Sequence, residues 1–116
     1  MNTQPMTRDE VYSMAAQLYE LSAWRTFTDT YNAMMPIKLQ PWQLLEAFNA
    51  WQVPIEVLCR AVESAAIAPR PSWAYLRAIA ARCRAQQIQT VEAYDAQQLL
   101  FSYEREQRKR KGISQE

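Results

Sequence analysis

Histidine is absent from this chain of 116 residues, and glycine occurs once, as Gly112. The missing histidine removes the commonest general base and the commonest transition-metal ligand. A single glycine near the C-terminus leaves no Gly-rich loop to cradle a phosphate. It also argues against β structure. Average usage of about 7% would supply about eight glycines, and hairpin turns draw on them for positive φ. The two cysteines, Cys59 and Cys83, are too few for a structural zinc site with four ligands. Both fall on apolar stripes and read as buried, reduced thiols. No apolar run approaches the roughly 18 residues of a membrane span. Met1 to Thr7 lacks the basic and apolar regions of a signal peptide, so a cytoplasmic location is expected. The carboxylates offer no obvious acid/base pair. Asp9 and Glu10 belong to a helix start, and Glu46, Glu56 and Glu63 fall on polar helix faces, where solvated surface is the expectation. The reading is therefore non-enzymatic, with no cofactor and no metal.

What is present is helical. The apolar fraction of 49% is that of a globular chain, and the length fits one domain. Proline supplies the punctuation, at Pro36, Pro41, Pro54, Pro69 and Pro71. Thr7 and Glu10 form a capping box, with Met6 and Val11 at the staple positions. Val11, Met14, Ala15, Leu18 and Leu21 follow at helical spacing. Ser22 either caps a second helix or lies within a longer one, and Trp24, Phe27, Tyr31 and Met34 continue a stripe as far as Pro36. Pro41 and Pro54 each suit the first turn of a helix. The first of these two helices carries Leu44, Leu45, Phe48 and Trp51 on one face, and the second carries Ile55, Leu58, Cys59 and Val62. Ser72 caps a helix with Leu76, Ile79, Ala80 and Cys83 as its buried stripe, and Thr90 caps the last helix, which bears Tyr94, Leu99, Leu100 and Tyr103. The expected fold is an all-α, compact bundle of five to six helices over residues 1–103, followed by a basic helix or tail over residues 104–116.

Charge is unevenly spread. Residues 1–69 hold four basic and seven acidic side chains, and residues 70–112 hold nine basic and four acidic. The net charge of +1 thus conceals a basic second half that suits a polyanion. Arg77 and Arg84, seven residues apart, share one flank of the Trp73 helix, and Arg82 lies on the other flank near Tyr75. Arg105, Arg108, Lys109, Arg110 and Lys111 crowd five cations into seven residues. Such a segment attracts phosphates through charge and counterion release without reading sequence. Among the four tryptophans, Trp24 and Trp51 sit on inward stripes. Trp42 and Trp73 lie where one of them is available for base stacking or a protein contact.

The order of elements over about 70 residues resembles the DnaD-like domain, a small helical module of bacterial primosome and phage replication proteins. The segment Tyr75-x-x-x-Ile79-x-x-x-Cys83, followed by Ile88-Gln89-Thr90, is similar to that family's Tyr-x-x-x-Ile-x-x-x-Trp motif and its Thr-initiated helix. Pro54-Ile55-Glu56-Val57-Leu58-Cys59-Arg60-Ala61-Val62 is similar to its x-Pro-x-x-Ile-x-x-Ala-Ile helix. Cys83 stands where the family has tryptophan, and Gln86-Gln87 where it often has glycine. The resemblance implies DNA binding around Tyr75 and Ile79, self-association, and a replication partner such as a helicase or its loader. It also implies a nucleoid-associated protein. Without the resemblance, a helical interaction module that binds a partner helix or a second copy fits the same residues.

Overall fold

The computed structural model describes residues 6–114, with side-chain placement through residue 109. Six α-helices follow one another: α1 (Arg8–Glu20), α2 (Ser22–Met34), α3 (Pro41–Glu46), α4 (Ile55–Ala66), α5 (Trp73–Ala85) and α6 (Val91–Ser114). A π-helical turn, Ala47–Trp51, extends α3. No strand occurs among the described residues. The chain is an all-α bundle.

The starts are set by local chemistry. The Thr7 hydroxyl accepts from the Glu10 amide at 3.2 Å, and the Glu10 carboxylate accepts from the Thr7 amide at 3.3 Å. Ser72 accepts from the Tyr75 amide at 3.1 Å, and Thr90 from the Ala93 amide at 3.0 Å. At the start of α3, where Pro41 follows, the Gln43 side chain accepts from the Gln40 amide at 2.8 Å. Each bond satisfies a donor that the first helical turn would otherwise leave orphaned. The α1–α2 boundary falls at Leu21, which is extended, so Ser22 begins a separate helix. Arg25 reaches back to the carbonyls of Tyr19 and Glu20, both at 3.0 Å, and closes the end of α1.

Helix α4 is the centre of the bundle. Val57, Leu58, Ala61, Val62 and Ala65 are buried on it, and α2, α5 and α6 pack against it. The buried face is rotated from the expected one toward Val57, Ala61 and Ala65, which leaves Cys59 only half-buried while Cys83 is fully buried. The cause is tertiary: α4 is covered on several sides, so its buried stripe is wider than one amphipathic face.

A second departure is at Phe48, which is exposed although helical spacing puts it inward. The π-helical turn shifts the register there, because a turn closed by i→i+5 bonds carries more residues than an α turn. Trp51 still reaches the core. It stacks on Trp73 with ring centroids 4.7 Å apart and 27° between planes. Phe27 meets Trp51 edge-on at 6.3 Å, and Tyr31 meets Trp73 edge-on at 5.8 Å. Four aromatics from α2, the π turn and α5 therefore form one cluster.

Helix α5 closes on a Schellman motif. The Ile88 amide donates to the Cys83 carbonyl at 2.9 Å, and the Gln87 amide to the Arg84 carbonyl at 3.1 Å. Gln87 takes the left-handed position, with φ of 56°. This is the place where glycine is favoured, since any Cβ is strained there. Gln87→Gly is expected to stabilise the fold by about 0.5–1 kcal/mol and to raise Tm by a few degrees. Thermal melts of both proteins check this, and a lower Tm for the variant would show that the strain is absorbed elsewhere.

Helix α6 carries on without a break through the segment expected to be a tail, as far as Ser114. Its first turns pack on α4. The Tyr94 hydroxyl donates to Ser64 at 2.7 Å, and Arg60 pairs with Asp95 at 3.2 Å. Beyond Phe101 it projects from the bundle, and the molecule measures 59 Å along its longest axis against 29 and 28 Å across. Of the apolar residues of α6 noted above, only Tyr94 is buried. Leu99, Leu100 and Tyr103 are exposed.

Candidate nucleic-acid interface

The expected DNA-contact residues divide by what holds them. Ile79 is a core residue, 5% exposed, and is corrected from a contact to a packing role. It points from α5 toward the bundle interior, and its apolar side chain gains more from burial than from facing a polyanion. Tyr75, one turn earlier on the same side of the helix, lies at the edge of that face and is exposed. Trp73 is likewise corrected: at 8% exposed it belongs to the aromatic cluster, whereas Trp42 is 51% exposed.

Arg77 makes a two-pronged ion pair with Glu46, Nε to Oε2 at 2.6 Å and Nη2 to Oε1 at 2.8 Å. The indole N–H of Trp73 donates to the same carboxylate at 3.3 Å. Glu46 is therefore not the solvated acid its helix face suggested. Arg77 is committed to bracing α5 against α3. Its guanidinium holds the Glu46 carboxyl below its ordinary value, partly opposed by burial. A carboxylate whose folded value is depressed contributes stability above its unfolded value and loses it as pH falls through the folded one. Arg77→Met is thus expected to lower the urea midpoint at neutral pH, and the gap from the native chain is expected to close in acid. A gap that stays constant with pH would show that the lost packing of the arginine stem, rather than the ion pair, is responsible.

Arg84 spends one N–H on the Ala50 carbonyl at 3.0 Å, at the end of the π turn. Together with Arg77 it rims a groove of about 430 Å³ floored by Trp51, Ala81 and Ala85. Arg82 and Arg105 have a different arrangement. The Arg82 guanidinium lies 5.7 Å from the Phe101 ring centre, and that of Arg105 lies 5.9 Å from it. Both distances fall within cation–π range. Phe101 thus brings a cation of α5 and a cation of α6 to one place, although they are far apart in the chain. Arg108 and Lys109 are exposed further along α6. The side chains of Arg110 and Lys111 lie outside the described residues. Among the described residues, only Arg60 and Arg77 pair with carboxylates.

Sequence reasoning missed Phe101. Its only signal was its position on α6 between two basic segments, and only the packing of α6 beside the end of α5 gives that position meaning. Among the described residues, no group of three or more His, Cys, Asp or Glu side chains is placed to hold a metal, and no helix is long and apolar enough to cross a membrane. Compared with protein-family models, curated proteins and solved structures, the chain matches none.

Proposed function

We propose that this chain is a DNA-binding and scaffolding module of a bacterial or phage replication-initiation or primosome protein, as its resemblance to the DnaD-like domain implies. The observation that carries the reading is the meeting of Arg82 and Arg105 at Phe101. It joins Arg82 of α5 to the cations of α6 in one basic surface, and among the described residues none of these cations pairs with a carboxylate. Arg82, Arg105, Arg108 and Lys109 are the described members of that surface, and Arg84, on the other flank of α5, is the fifth exposed cation. Five phosphate contacts on duplex DNA correspond to a log–log salt slope of about −4.5. Fluorescence anisotropy of a labelled duplex, titrated with the full chain at several salt concentrations, is expected to return a slope near this value. A slope near zero, or no binding at micromolar protein in low salt, would overturn the reading.

A second reading has its own support. Leu99 is 73% exposed, and Leu100 and Tyr103 are exposed beside it on α6, away from the face that packs on α4. An apolar strip of this kind suits a partner helix or a second copy of the chain. A partner such as a helicase or its loader would make the module a replication adaptor. Light scattering that shows a stable oligomer, together with an absence of DNA affinity, would favour this reading over the first.

A further inference from the structure

Between the end of α5 and the first turns of α6 lies a cleft of about 200 Å³. Its floor is apolar and buried, made by Cys83, Ile88 and Tyr94. Its polar lining is three primary amides, Gln86, Gln97 and Gln98, of which the first two are exposed. Its mouth is the Phe101 ring with Arg82 beside it, and Arg105 stands at the same ring. Among the described residues, no carboxylate lines it.

We infer that this cleft receives one unstacked base of single-stranded DNA, with the adjoining phosphates held by Arg82 and Arg105. The inference rests on the DNA-binding reading above and specifies the strand state. The volume is below the roughly 300–1,000 Å³ of pockets for larger ligands, and it suits a single planar ring system. An apolar floor takes the face or body of such a ring. Each glutamine amide offers both a donor and an acceptor, the combination presented by a base edge. An exposed aromatic ring at the mouth gives a neighbouring base a surface to stack on. Two cations at that ring put positive charge where the strand's phosphates must pass. A base paired within a duplex cannot enter, because its ring faces are covered by its neighbours and its Watson–Crick edge is occupied by its partner.

The test uses the full chain and three labelled probes of equal length: oligo-dT, the same backbone with abasic sites in place of bases, and a duplex. The native chain is expected to bind oligo-dT at least about fivefold tighter than the abasic strand, since stacking and edge contacts to a base account for a preference of that order. The Gln86→Ala/Gln97→Ala variant removes two exposed, uncharged side chains. It is expected to lose most of that preference while its affinity for duplex stays within about twofold, because the phosphate contacts are unchanged. Equal affinity of the native chain for dT and abasic strands, or a variant that keeps the preference, would overturn the cleft and leave the DNA-binding reading standing. Failure of all three probes to bind would overturn both.

Discussion

Trp73→Ala is expected to cost about 3–5 kcal/mol, the range for deleting a large buried aromatic side chain. Trp73 stacks on Trp51 at 4.7 Å and meets Tyr31 edge-on, so its loss opens a cavity where the π turn, α2 and α5 converge. Aromatic pairs of this kind add about 0.5–1.5 kcal/mol beyond the area they bury. The substitution also takes away one of the hydrogen bonds to Glu46, which loosens the brace between α5 and α3. Domains of this size are stable by about 5–15 kcal/mol in total, so the variant is expected to melt more than 10 °C below the native chain, on the basis of about 4 °C per kcal/mol. Trp42→Ala is the control. Trp42 is half exposed, and its removal is expected to change stability by less than about 0.5 kcal/mol. Thermal and urea denaturation distinguish the two. Equal effects would mean that the aromatic cluster does not hold the bundle together.

Arg82→Glu with Arg105→Glu is the second large effect expected. Both residues are exposed and neither braces the fold through a carboxylate, so the helical content seen by circular dichroism is expected to remain. Duplex affinity is expected to fall by at least about tenfold per residue, a charge-assisted hydrogen bond to phosphate being of that order. The salt slope is expected to drop from about −4.5 to about −2.7, because three of five phosphate contacts remain. The slope separates this account from misfolding, which would abolish binding at every salt concentration. An unchanged slope would show that the Phe101 cluster lies away from the DNA.

The two sets of changes act on different properties, and the sequence made one of them far more legible than the other. Helix starts at Thr7, Ser72 and Thr90 were readable because a cap is a contact over three residues, fixed by backbone geometry. The all-α class was readable because one glycine cannot serve the turns of a β fold. The crowding of cations after residue 70 was readable by counting.

Which side chains those cations meet was a tertiary decision. Arg77 and Glu46 are 31 residues apart, and their ion pair turns an expected DNA contact into a structural brace. Arg82 and Arg105 meet only because α6 runs past the end of α5 with Phe101 between the two side chains. Trp42 and Trp73 look alike as first-turn aromatics, yet one is exposed and the other is core, because only Trp73 faces the π turn and Trp51. Periodicity assigns a residue to a face of its own helix. Burial depends on what covers that face, and the covering elements come from distant parts of the chain. The sequence by itself determined the helix starts that carry a side-chain cap, at Thr7, Ser72 and Thr90, and that the second half is basic. The tertiary structure decided which arginines are free to meet a phosphate, since that depends on contacts between residues that no local pattern links.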